Sequence, residues 1–168
     1  TYDLALSGSG FFTVSVADKA GEVHTRYTRD GRFHLTKDGL LVDADGNAVQ
    51  GQNGNITIDP SSKNVSISAT GQITADGELV DTLNIVDFED YDYLKKYGDT
   101  MYEPVDGATT KDAEGEILQG YTEQSNVNVV REMVDMITIT RAYEASQKVI
   151  HSYDSMLDKS VNQVGALK

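Results

Sequence analysis

The sequence contains no cysteine and no tryptophan, and only two prolines in 168 residues. Without cysteine, disulfide staples and thiolate chemistry are excluded, while the redox compartment stays open. No apolar run approaches the roughly 20 residues that cross a bilayer as a helix, and no signal-peptide pattern opens the chain. Direct membrane insertion is therefore not expected. There is no initiator Met either: the chain starts at Thr1, inside a strand-like pattern, as a fragment or processed polypeptide would. Basic residues are scarce, 14 against 27 acidic, for a net charge of −13. From Ser125 onward five basic residues balance five acidic ones, so residues 1–124 carry the whole excess. Such an acidic body repels nucleic-acid phosphates and anionic lipid surfaces, and neither is an expected partner.

Glycine and proline are also missing from one long stretch, Ser125 to Val164. Residues that lose little on entering a helix (Ala, Met, Glu, Gln, Arg, Lys) are spread along it. Its apolar side chains recur at three- and four-residue steps: Val129, Met133, Met136, Ile137, Tyr143, Ile150, Tyr153, Leu157, Val161 and Val164. That is helical period on one broad stripe. Asn128 is placed to cap the first turn, Glu132 suits the positive end of the helix dipole, and Gly165 is a natural stop. From Val129 to Val164 the helix would run about 54 Å at about 1.5 Å per residue, several times the usual length. Followed by heptads, the seam is interrupted by Thr140, Gln147 and Asp154. A dedicated two-stranded coiled coil rarely tolerates three such positions. The stripe therefore predicts an interface with several neighbouring helices, set against the simpler expectation of a helix folded on its own domain.

The remainder is punctuated by Asp-Gly and Asn-Gly pairs: Asp30-Gly31, Asp38-Gly39, Asp45-Gly46, Asn53-Gly54 and Asp76-Gly77. These supply the positive φ that tight hairpins require. Between them lie short runs of period two, such as Arg32–Thr36, Asn55–Ile58 and Val65–Ser68. Leu83–Phe88 and Glu116–Tyr121 read as further strands, and Asp90–Gly98 as a loop or short helical turn. The fold class is mainly β with a long C-terminal α-helix: an antiparallel β body over 1–124 and an extended helix over 125–168.

Candidate chemistry is thin. Ser7-Gly8-Ser9-Gly10 lacks the Lys-Ser/Thr and helix of a phosphate loop, and a tight turn fits it better. Asp43-Ala44-Asp45-Gly46-Asn47 begins like a calcium loop, but position twelve is Gly54 rather than Glu. His24, His34 and His151 are scattered, with neither metal-ligand spacing nor a nucleophile beside them. The carboxylates from Asp87 to Asp92 suit a soluble loop as well as a glycosidase pair. No catalytic residue, metal or cofactor is expected.

Several stretches together resemble the bacterial flagellar rod and hook protein family. They are Asp3-Leu4-Ala5-Leu6-Ser7-Gly8-Ser9-Gly10-Phe11-Phe12, then Tyr27-Thr28-Arg29-Asp30-Gly31-Arg32-Phe33, then Gly39-Leu40-Leu41-Val42 and Val49-Gln50-Gly51. Gln119-Gly120-Tyr121, Ser125-Asn126-Val127-Asn128, Glu132-Met133 and Arg141-Ala142-Tyr143-Glu144 follow in family order. The resemblance implies an N-terminal helix packed beside the C-terminal one in the axial core of a tube, which would precede Thr1. It implies export through the flagellar apparatus without a cleaved signal peptide, and a place in the basal body. The expected function is that of a structural rod subunit that polymerises helically, transmits torque and meets neighbouring rod and hook proteins. The alternatives are a hook-type axial protein, a secreted calcium- or sugar-binding β module with a helical oligomerisation tail, and a hydrolase using the acidic loop.

Overall fold

The Asp-Gly and Asn-Gly turns divide the first two thirds of the chain into short strands in the computed structural model. The structure describes residues 2–18, 21–124 and 126–164, without the side chains of 163 and 164. The chain falls into two compact units, Thr1–Glu123 and Gln124–Lys168.

In the first unit the strands follow in order: β1 Leu4–Gly8, β2 Phe11–Ala17, β3 Val23–Thr28, β4 His34–Leu35, β5 Leu41–Val42, β6 Ala48–Gly51 and β7 Gly54–Asn55. Next come β8 Val65–Ile67, β9 Gln72–Ala75, β10 Glu78–Thr82, β11 Ile85–Phe88, β12 Leu94–Tyr97, β13 Met101–Pro104, β14 Thr110–Asp112 and β15 Gly115–Gln119. All pairings are antiparallel, and the largest sheet runs β12-β13-β3-β2-β6-β5-β4, with β11 joining both β2 and β14. A three-stranded sheet β10-β9-β8 and the pair β1-β15 complete the body.

β2 is its central element because it is buried on both faces, from Phe11 through Val14. Phe12 and Val14 enter the main core with Leu4, Leu41, Ile56 and Ile73, and each buried side chain of this size contributes about 1.5–3 kcal/mol. Phe11 instead meets Phe88, Tyr91 and Tyr102 edge-on, with centroids 6.0, 6.0 and 5.5 Å away. That aromatic cluster sits under one bent hairpin. Its first arm is β11 and β12, its second β13 and β14, and backbone bonds Glu89–Thr109 and Val105–Tyr93 bridge the bend. Within it only Tyr91–Tyr93 is a helical turn, of 3₁₀ type, with the Asp90 side chain accepting from the Asp92 N–H. The segment Asp90–Gly98, read from sequence as loop or turn, thus includes a strand, Leu94–Tyr97, whose paired lysines masked its pattern.

In the second unit α1 spans Val129–Lys159, 31 residues, or about 46 Å. The Asn128 side chain accepts from the N–H groups of Val130 and Arg131 at 3.1 and 3.2 Å, the expected cap. Ser160–Val164 continue as a wider π-type turn rather than as α-helix. The expected stop at Gly165 lies outside the described residues.

Candidate functional site

Two stretches far apart in sequence interlock around Arg29. Its Nη1 donates to the carbonyls of Gly8 and Gly10 at 2.9 Å each, and its Nη2 to that of Leu6 at 3.3 Å. Nε and Nη2 also grip the Glu123 carboxylate, at 3.1 Å apiece. A planar guanidinium serves several acceptors at once in this way, and an ammonium does not. The Ser7–Gly10 segment it holds carries the chain from β1, paired with β15, to β2 in the main sheet. Gly8 lies at φ 118°, and a Cβ there would stand 2.5 Å from the Glu114 carbonyl. Gly31 is required for space: a Cβ would collide with the Leu4 backbone carbonyl, while the Leu4 N–H donates to the Gly31 carbonyl at 2.9 Å. Asp30 and Arg32 form an ion pair with contacts of 2.6–3.2 Å, and those hydrogen bonds hold the Asp30 carboxyl below its usual range. Phe33 packs edge-on against Phe12 at 5.2 Å. The structure therefore brings Gly8, Gly10, Phe12, Arg29, Gly31 and Phe33 together as one lock. Asn126 and Val127 are exposed, and Ser125 lies outside the described residues.

The helix, taken by itself, buries none of its residues. Val129, Met133, Met136, Ile137, Tyr143, Ile150, Tyr153, Leu157 and Val161 are each 55–70% exposed; of Val164 only the backbone is described. Because seven residues fall short of two full turns, the seam winds by about 20° per heptad. Val130, Val134, Val149 and Met156 add apolar surface off the seam. Two of the polar interruptions are satisfied within the helix. Thr140 donates to the Met136 carbonyl at 2.8 Å, and Gln147 to the Tyr143 hydroxyl at 3.3 Å. A hydroxyl already bonded to the i−4 carbonyl enters an apolar contact with no orphaned donor. Arg141, Ala142 and Glu144 lie on the same helix, beside Tyr143.

In the acidic stretch Asp87–Asp92, Asp87 is not a free acid. Asp87 is fully buried and ion-paired to Lys111 at 3.2 Å through Oδ2, for which the described residues offer no aligned hydrogen-bond donor. Its Oδ1 accepts from the Tyr91 hydroxyl and the Phe88 N–H, both at 2.8 Å. Burial, the largest single influence, pushes its pKa up. The Ser9 side chain, Tyr91, Phe88 and Lys111 together outweigh it and bring the pKa down to about 2. Such a group stays ionised and cannot serve as a general acid. In the calcium-like turn, Asp43 Oδ1 already accepts from the N–H groups of Asp45 and Asn47. Sequence reasoning missed one grouping: Asp18, Glu22 and His24 place ligand atoms within 4.8 Å of one another at the end of the β2–β3 hairpin. A polar cleft of about 280 Å³ beside Gln52, Thr82 and Asn84 has one ionisable wall residue, Asp112.

Comparison with known proteins covers both units. Residues 5–75 match the family described as "Flagellar hook protein FlgE/F/G D1 domain", and residues 118–164 match "Flagellar basal body rod FlgEFG protein C-terminal". The "Flagellar basal-body rod protein FlgG" of Buchnera aphidicola subsp. Schizaphis graminum is 36% identical over 170 residues, 94% of this chain and 63% of that protein. Its counterpart in Bacillus subtilis is 33% identical, covering 96% of this chain and 65% of the relative. The "Flagellar basal-body rod protein FlgF" of Caulobacter vibrioides is 34% identical, with 99% and 66% covered. The chain thus spans a little under two thirds of the length of these relatives.

Proposed function

The chain belongs to the flagellar rod and hook protein family, and from that premise we propose that it is a structural subunit of the basal-body rod. The observation that carries this reading is the exposed apolar helix, Val129–Lys159, in which two of the three polar seam residues, Thr140 and Gln147, hydrogen-bond within the helix. Nine such side chains exposed to water favour association strongly, at about 1.5 kcal/mol or more for each that becomes buried. A seam that winds, with apolar residues off it, suits several helical neighbours in a tube rather than a single partner. Repetition of one such heterologous contact gives an open helical polymer. The acidic β body forms the outer layer, the role is structural rather than catalytic, and the tube transmits torque to neighbouring rod and hook proteins. Relatives named as rod proteins favour a rod subunit over a hook subunit.

Sedimentation and hydrogen exchange test the reading. The chain should self-associate through α1, and Met136→Asp with Ile150→Asp should abolish association while the β-type circular dichroism of the body persists. A monomer with slow exchange along all of α1 would show that the helix serves its own chain, and the reading would fail.

A further inference from the structure

The bent hairpin carries two open sheet edges of opposite charge. β12 ladders on one side only, to β13, and its Lys95, Lys96 and Tyr97 are exposed. β14 ladders on one side only, to β11; it is exposed throughout and runs on to exposed Glu114. Among the described residues, Lys95, Lys96, Asp112 and Glu114 enter none of the ion pairs, whereas Lys111 is engaged with Asp87. The two edges are on opposite arms and toward opposite ends of the hairpin: β12 runs to the tip, where Tyr97 faces Met101, and β14 runs to the open end, where Asp112 faces Val86. While β2 holds β11 and β3 holds β13, the basic edge of one chain does not reach its own acidic edge.

We propose that the Lys95–Lys96 edge of one copy docks head to tail on the Asp112–Glu114 edge of the next, as the lateral contact between bodies. The proposal rests on the polymer reading above and names the surface it would use. Lysines on an open strand guard it against promiscuous pairing, and two β12 edges brought together would set four ammonium groups against each other. An acidic edge removes that penalty, so the charge that rejects a like edge selects the unlike one. Each docking leaves one further edge of each kind free, which makes the contact heterologous and open-ended. Tyr97, with the Arg26 guanidinium 4.8 Å over its ring, gives the basic edge a flat amphipathic anchor. A contact between strands of four and three residues is weak alone and acts where helix contacts already hold the copies together.

Because the chain has no cysteine, the contact is open to a clean cross-linking test on this 168-residue chain. Lys96→Cys and Asp112→Cys are made separately, assembled and mildly oxidised, with polymer measured by sedimentation. A mixture of the two variants should cross-link into dimers, while neither alone should. Lys95→Glu with Lys96→Glu should raise the concentration needed for assembly about tenfold, and adding Asp112→Lys with Glu114→Lys should reverse most of that rise. Cross-linking of Lys96→Cys alone would overturn the head-to-tail contact. Polymers without cross-links in the mixture, or a charge reversal with no effect, would overturn the edge contact and leave the rod reading standing. Absence of polymer in the wild type would remove both.

Discussion

Arg29→Ala should be among the most damaging single changes on the surface of the β body. It removes the donors to three carbonyls and opens the bidentate pair with Glu123. Hydrogen bonds from a charged donor contribute about 1.5–3 kcal/mol each where the acceptor is left dry, and less where water replaces them. The Gly10 and Leu6 bonds are partly buried, while the Gly8 bond is exposed and Glu123 is 36% accessible. Counting the first two near 1 kcal/mol and the exposed ones at a few tenths gives a loss of about 3 kcal/mol. Arg29→Lys should lose about half as much, because an ammonium keeps the charge but not the fork. Glu123→Gln should cost under about 1 kcal/mol. With no tryptophan present, urea unfolding is followed by tyrosine fluorescence, and the midpoint for Arg29→Ala should fall by about 1.5–2 M at unchanged slope. A loss below 1 kcal/mol, or Glu123→Gln as harmful as Arg29→Ala, would show that the guanidinium does not clamp the β1–β2 crossover.

Asp87 sets a pH response. Its folded pKa, about 2 against an ordinary 3.8, means that its contribution is complete above about pH 4 and disappears as pH falls through about 2, roughly 2 kcal/mol in all. Asp87→Asn should destabilise the body by about that amount at pH 7 and flatten its melting temperature between pH 4 and 2; an unchanged acid limb would refute the assignment. Gly31→Ala should cost more than about 3 kcal/mol, since the new methyl meets backbone rather than a movable side chain; a melting temperature within a few degrees of wild type would show that β1 can shift. Truncation after Gln124 should leave a cooperative transition with a β-type spectrum, because the strands and their core lie within Thr1–Glu123. Loss of that transition would mean the helix completes the core.

How much of this was legible in the sequence depends on range. The helix and its cap were readable because period, composition and Asn128 act within a turn or two of themselves. The hairpin turns at Gly39, Gly46, Gly54 and Gly77 were readable for the same reason, and each takes the positive φ expected of it. Asp30-Gly31 was not, since Gly31 does not take a positive φ and is glycine to clear the distant Leu4 carbonyl. The ladder between β1 and β15 was not, since its register joins residues more than a hundred positions apart. Arg29 was visible only as part of a family pattern, and its acceptors are carbonyls, which no side-chain motif records. Asp87 was hidden among similar carboxylates; what distinguishes it is burial against Lys111, a partner on another strand. The lysines of β12 obscured a strand whose pattern is polar because its edge is open.

The pairing of the first strand with the last has a mechanical side. Leu4 lies opposite Gln119, Gly8 lies opposite Gly115, and the Gly120 N–H donates to the Asp3 carbonyl at 2.7 Å. The two ends of the body's chain therefore leave it side by side. A load that drives both ends together turns the body as a passenger and leaves the ladder unstrained. A load that parts them meets the rungs one at a time, like a zipper, starting at Asp3–Gly120, instead of all at once as in shear. Such a joint is stiff toward rotation of the pair and soft toward separation. Ahead of the first rung on the outgoing side, beyond Gly120, stands the Arg29–Glu123 grip, which ties the outgoing chain back to the crossover where the incoming strand ends.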